Sequence, residues 1–177
     1  MVEQFHGKEE VIGSTPIVST IYFSLLRKIL HKFYYSYDLF KKDTQILVNL
    51  CKCYNADILL AVARGGLTLS HLMSQALDIR RLYTLNSIHY EGQKKLDTFN
   101  IFNIPDLSNA KKVLIIDDII DSGETMKEIL SILTNKYPNI EFKIATLFYK
   151  QTALVKPDFS VREANEWIDF FWEVDIK

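Results

Sequence analysis

Hydrophobic and polar positions along the chain switch between two periods, and the switching predicts an order of elements. Phe40, Thr44, Leu47, Cys51 and Tyr54 recur at helical spacing and mark the inner face of one helix. Residues 57–63 then run almost free of polar side chains, the composition of a strand covered on both faces. The same reading gives a helix over 67–77, strands over 81–86 and 112–116, a helix over 125–137 and a strand over 142–149. In the last helix Met126, Ile129, Leu130, Leu133 and Tyr137 form the apolar stripe. Strands alternating with helices specify an α/β fold, a single domain on a mostly parallel sheet flanked by helices.

Two stretches depart from this rhythm. Between 91 and 111, Gly92, Asp97, Asn100, Asn103, Pro105 and Asn109 interrupt any period, so a long loop is expected, either a lid over the site or mobile filler. Tyr90, with Ser87 and Glu91 near it, stands where such a lid, residues 88–111, would leave its strand. Residues 17–33 place Tyr22, Leu25, Leu26, Ile29, Leu30 and Phe33 on one helical face, with Arg27, Lys28, His31 and Lys32 elsewhere. That pattern is a cationic amphipathic helix within an N-terminal extension, residues 1–34. It suits packing on the domain or on a partner subunit better than a membrane surface, because no other lipid signal accompanies it.

Composition narrows the class. The 177 residues are 48% hydrophobic and 24% charged, enough for one sizeable core, and the net charge of −1 supplies no basic field for nucleic acid. A small molecule is the expected ligand. No run of eighteen apolar residues is present, and Glu3, Glu9 and Glu10 before the first apolar stretch argue against a signal peptide. The two cysteines, Cys51 and Cys53, suggest a reducing cytoplasm, with Cys51 on the apolar side of its helix as an ordinary buried thiol.

Candidate chemistry lies in three segments. Val113–Ile116 leads into Asp117-Asp118-Ile119-Ile120 and then Asp121-Ser122-Gly123-Glu124-Thr125 at a helix start. There, backbone N–H groups and the helix dipole favour a phosphate, and the acids suit sugar hydroxyls. The plainer reading is a strand end with Asp121 or Ser122 as an N-cap. Arg64-Gly65-Gly66, between strand and helix, brings backbone close to a ligand and a guanidinium fork to diphosphate oxygens, although Gly-Gly alone is commonly a plain turn. At the C-terminus Lys150 ends a strand and Trp167-Ile168-Asp169 follows a loop. An ammonium only donates, so it prefers the carbonyl of a 6-oxopurine to the amino group of adenine, and an aromatic can stack on the base. Phe170 and Trp172 read as core aromatics.

Taken in order, these segments resemble the type I phosphoribosyltransferases, and more closely the small bacterial xanthine-guanine branch of the 6-oxopurine salvage enzymes, over residues 35–177. The resemblance implies the family's sheet with a small C-terminal hood, residues 150–177. It also implies transfer of the phosphoribosyl group from phosphoribosyl pyrophosphate (PRPP) to purine N9. By the same resemblance, Arg64, Gly65 and Gly66 hold pyrophosphate, with a cis peptide expected at Arg64–Gly65. Asp117 and Asp118 contact the ribose and help hold Mg2+. Asp121 stands near purine N7, and Ser122, Gly123, Glu124 and Thr125 cradle the 5′-phosphate. Lys150, Trp167, Ile168 and Asp169 recognise the purine, and Tyr90, preceded by His89 where the family carries Ser, closes the lid. A homodimer or homotetramer is implied. A PRPP-binding regulator without catalysis and an enzyme for another nucleobase, such as orotate or uracil, are the alternatives.

Overall fold

The computed structural model describes residues 32–91, 94–174 and Ile176. In chain order the elements are β1 (Lys32–Tyr35), α1 (Tyr37–Cys51) with a 3-10 turn (Lys52–Tyr54), β2 (Ile58–Ala63), α2 (Gly66–Ala76), β3 (Leu82–Glu91) and β4 (Lys94–Phe102). They continue with β5 (Lys112–Ile120), α3 (Glu124–Lys136), β6 (Glu141–Tyr149), β7 (Phe159–Glu163) and β8 (Trp167–Phe170). Six strands form the main sheet in the order β4-β3-β2-β5-β6-β7, parallel except for β4, and β1 pairs with β8 in a separate two-stranded sheet.

The apolar strands explain why this sheet is covered on both faces. Leu59, Leu114 and Ile116 face α1 and α2 through Leu47, Leu69 and Met73, whereas Ile58, Leu60 and Ile115 face α3 through Met126, Ile129 and Leu133. Alternation along β2 and β5 therefore feeds two cores. Ser36 caps α1, accepting from the Leu39 N–H at 3.3 Å. Cys51 is buried and Cys53 exposed, and burial first, then the Asp158 charge, push the Cys51 thiol up to about 12.

Three expectations change. Residues 94–102 are a strand antiparallel to β3, so most of the expected lid loop is a hairpin. An edge strand has one neighbour to satisfy and tolerates Lys94, Lys95, Asp97 and Asn100, which hid it from the periodicity. Lys32 and Phe33 open β1 instead of ending a helix, because β8 offers a parallel partner from Lys32↔Trp167 to Tyr35↔Phe170. Residues 32–34 thus share a sheet with the C-terminal hood, and the rest of the expected amphipathic helix lies outside the described residues. Finally, β5 runs on to Ile120, since Asp117, Ile119 and Ile120 pair with Thr146, Phe148 and Tyr149 of β6. The acid pair belongs to the strand.

The start of α2 is pressed against that strand. A methyl group on Gly66 would overlap the Ile116 carbonyl oxygen and lie 3.1 Å from Asp117 Cα, and one on Gly65 would lie 2.6 Å from Asp118 Oδ2. Gly66→Ala should therefore cost about 1–3 kcal/mol, because strand backbone has little room to yield. Calorimetry should record a fall of about 2–4 °C in thermal midpoint per kcal/mol. An unchanged midpoint would contradict the crowding.

Candidate active site

β2 and β5 are adjacent and parallel, so their carboxyl ends open onto the same edge of the sheet. From β2 the chain turns through Arg64 and Gly65 into α2, with the Leu67 N–H donating to the Arg64 carbonyl at 3.1 Å. The cis peptide falls at Ala63–Arg64, one residue before its expected place. Gly65 already has right-handed helical torsions and α2 begins at Gly66, so the chain has turned by Arg64. Arg64 is exposed at this edge.

Asp117 and Asp118, being consecutive in a strand, project to opposite faces of β5. Asp117 lines a cavity of about 140 Å3 together with Asp121, Ser122, Gly123 and Thr125. Asp118 lines another of about 580 Å3 with Arg64, Gly65, Trp172, Glu173 and Val174. The acid pair is the wall between the 121–125 loop and the Arg64–Gly65 turn. A third cleft, lined by Asn49, Cys51, Asn55, Ala76 and Ile79 among others, lies at the amino ends of the strands, away from this edge.

Burial sets the electrostatics of the pair. Loss of water, followed by the Asp118 charge, holds the Asp117 carboxyl well above the ordinary carboxylate range. Loss of water likewise pushes Asp118 up to about 6, with the Glu173 charge adding to it and the Ile119 N–H opposing it. The Asp118 N–H donates to Asp117 Oδ1 at 3.0 Å and fixes one carboxyl relative to the next backbone unit. A cation, or a set of hydroxyl donors, placed at this wall would relieve both groups.

The loop 121–125 takes its shape from Gly123, whose φ of +79° lies in the left-handed region, and whose missing side chain admits the Leu154 and Val155 N–H groups. Gly123 itself is the N-cap of α3 and offers no side-chain acceptor. Ser122 Oγ accepts from the Glu124 N–H at 3.3 Å, so the plain capping role falls partly to Ser122, while Asp121 turns elsewhere. Asp121 forms an ion pair with Lys150 Nζ. The two residues meet because the Lys150 N–H donates to the Ile120 carbonyl at 2.9 Å and the Leu154 N–H to that of Ser122 at 2.8 Å. The loop after β6 is thereby fastened to the loop after β5.

The remaining expected residues are placed less closely. Trp167 starts β8 half-exposed and lines neither cavity, Ile168 is buried in the core and leaves only its backbone to a ligand, and Asp169 is half-buried opposite Tyr34. The side chains of His89 and Tyr90 lie outside the described residues. Two residues not foreseen as ligand-facing, Trp172 and Glu173, line the larger cavity. Trp172 also stacks on Phe170, with centroids 4.6 Å apart and planes at 16°, so its core role stands beside a second one. An acid closing the aromatic run Phe170-Phe171-Trp172 was the signal available for Glu173.

Residues 41–177 match the phosphoribosyl transferase domain family. The xanthine-guanine-hypoxanthine phosphoribosyltransferase of Helicobacter pylori superposes with a TM-score of 0.75 at 39% identity, covering 81% of this chain and 95% of that one. A purine phosphoribosyltransferase from Pyrococcus horikoshii does so with a TM-score of 0.68 at 29% identity, over 82% of this chain and 96% of that one. By sequence, the xanthine-guanine phosphoribosyltransferase of Cereibacter sphaeroides is 28% identical over 121 residues, 66% of this chain and 68% of its own length. With the mostly parallel sheet and the paired loops at its carboxyl edge, the match establishes that the chain belongs to the phosphoribosyl transferase family.

Proposed function

We propose that this enzyme works in purine salvage, transferring the 5-phosphoribosyl group of PRPP to N9 of guanine, xanthine or hypoxanthine and releasing pyrophosphate. The observation that carries the reading is the Lys150–Asp121 ion pair at the junction of the two loops. On a 6-oxopurine the 6-carbonyl and N7 are neighbours along one edge. An ammonium beside a carboxylate matches that edge, donating to the oxygen and accepting from N7–H.

In this mechanism N9 attacks C1 of the ribose as the bond from C1 to the diphosphate oxygen breaks, and positive character develops on the sugar. Ser122, Gly123, Glu124 and Thr125 hold the 5′-phosphate at the start of α3, where backbone donors face it. Arg64 and the Gly65–Gly66 backbone take the diphosphate, their donors aimed where negative charge grows on the leaving group. Asp121 balances or accepts the N7 proton as general base. Trp167 stacks on the purine, with backbone groups of Ile168 and Asp169 at its 2-position. Tyr90, on the hairpin, closes over the reacting ribose and excludes water.

Asp118, which shares its cavity with Arg64 and Gly65, fits a magnesium site of the kind completed by substrate, and Asp117, on the opposite face of β5, would support the same ion only through water or ribose hydroxyls. Among the described residues no three His, Cys, Asp or Glu side chains cluster. Magnesium commonly takes one or two carboxylates, with waters and phosphate oxygens as its other ligands. A carboxyl held above its ordinary range by burial suits such a cation. When bound, Mg2+ neutralises the diphosphate oxygens. The same reading places the enzyme in the cytoplasm as a homodimer or homotetramer. Among the described residues no helix is long and apolar enough to cross a membrane.

A panel of bases with PRPP and magnesium should give turnover with guanine, xanthine or hypoxanthine and little with adenine. PRPP binding without turnover of any base would instead make the protein a regulator. Lys150→Ala should lower kcat/KM for the 6-oxopurines by on the order of a hundredfold, the loss of one charge-assisted hydrogen bond, with PRPP affinity retained. Unchanged discrimination against adenine in that variant would remove Lys150 from base recognition. Chelation of divalent cations should abolish turnover, and Asp118→Asn should raise the magnesium concentration needed for half-maximal rate by about tenfold. Activity indifferent to chelator would exclude the magnesium role.

A further inference from the structure

We infer that the buried carboxylate of Asp43 fixes the position of β8 relative to Lys150, making Tyr35, Asp43 and Arg162 positioning residues for purine recognition. The inference rests on the proposed reading in which Lys150 and β8 grip the two sides of one base.

The two halves of that grip stand on different sheets. Lys150 follows β6 of the main sheet and is tied to β5 through the Ile120 carbonyl. Trp167, Ile168 and Asp169 belong to β8, whose strand partner is β1; among the described residues no hydrogen-bonded ladder joins this pair to the main sheet, and the backbone connection is the short β7–β8 link, where the Ala164 N–H donates to the Tyr149 carbonyl at 2.8 Å. Aromatic packing fills the join. Phe148 of β6 lies edge-on to Tyr35 of β1 at 4.9 Å between centroids and to Phe170 of β8 at 5.8 Å. Such packing is strong but has little direction along the strands, so it holds the sheets together without fixing their offset.

Asp43 supplies the missing direction. It sits on α1, 1% exposed, and all three of its side-chain hydrogen bonds leave its own helix. Arg162 of β7 reaches it as a fork, Nε to Oδ2 at 2.5 Å and Nη2 to Oδ1 at 2.9 Å. The Tyr35 hydroxyl donates to Oδ2 at 2.9 Å. β7 is the strand that feeds the chain into β8, and β1 is the strand on which β8 is laid. A single carboxylate thus fastens both neighbours of β8 to one helix. Burial first, then the Asp43 hydrogen bond, holds the Tyr35 phenol above its ordinary range, which keeps it a donor. Charge-assisted bonds of fixed geometry resist sliding where apolar contacts do not. A base held at both edges tolerates misplacement of only about 0.5 Å.

The test compares steady-state kinetics of the full-length wild type, Tyr35→Phe and Arg162→Lys, with PRPP, magnesium and guanine varied in turn. Arg162→Lys keeps a positive charge beside Asp43 and removes the fork, so a folding failure of either variant leaves the other decisive. KM for guanine should rise about five- to tenfold, while kcat and KM for PRPP stay within about twofold. A parallel rise in both KM values, or an unchanged KM for guanine with a lowered thermal midpoint, would overturn the inference. A wild type that turns over no 6-oxopurine removes the proposed function and this inference with it. An active wild type with variants of unaltered guanine KM removes this inference alone.

Discussion

The closeness of the Arg64–Gly66 turn to the end of β5 is the constraint on which the rest of the site depends. β2 and β5 are neighbours in a parallel sheet, about 4.8 Å apart, and both send their loops out of the same edge. A side chain at 66 would need the space taken by the Ile116 carbonyl and so distort the strand, and one at 65 would displace the Asp118 carboxylate from the wall. With glycine at both places the guanidinium-bearing turn and the acid pair share a wall. The helix that follows is held against the strand from its first residue, and the apolar seam of Leu69 and Met73 then locks that contact into the core.

The acids at this wall are in a poor environment for ionised carboxyls, and the fold tolerates it. Asp121 is solvent-exposed and paired with Lys150, whereas Asp117 and Asp118 are taken from water beside each other, and Glu173 comes close to Asp118 without offsetting its charge. Groups forced above their ordinary range by burial and like charge cluster where chemistry is done. Under the proposed reading the imbalance has a use. The free protein keeps two acids that a cation or ribose hydroxyls would stabilise, while the residues meant for the base already neutralise each other.

The parts of this site legible in the sequence are those whose function and structure share one short segment. Asp117 through Thr125 form a strand end, a turn and a helix start in succession, so their order alone carried the geometry, and Arg64-Gly65-Gly66 did so for the same reason. The features with no local signal depend on distant partners. The strand β4 exists because β3 gives it a ladder, and β1 exists because β8 does; neither pairing leaves an apolar run behind. Trp172 reads as core because it does pack on Phe170, and nothing local reveals that its other side lines the cavity with Arg64 and Asp118. Asp43 reads as a helix polar residue until Arg162, far along the chain, is brought to it.

Under the proposed reading, the same distinction separates sugar-phosphate binding from base choice. The phosphate and diphosphate loops hang from adjacent strands of one hydrogen-bonded sheet, whose backbone fixes their spacing to within the tolerance of the ladder. Under the same reading the base is gripped from two sheets that share no ladder among the described residues, and their offset is set by the short β7–β8 link and by side chains. A change among the aromatics or at the Asp43 link can therefore move β8 without disturbing the edge where β2 and β5 end. Selection can alter the preferred base through residues far from the reacting atoms while the phosphate-binding end stays intact. Side-chain packing of that kind leaves no short motif, which is why the two loops proposed to hold PRPP each stand out as a local segment and the ranking of guanine, xanthine and hypoxanthine does not.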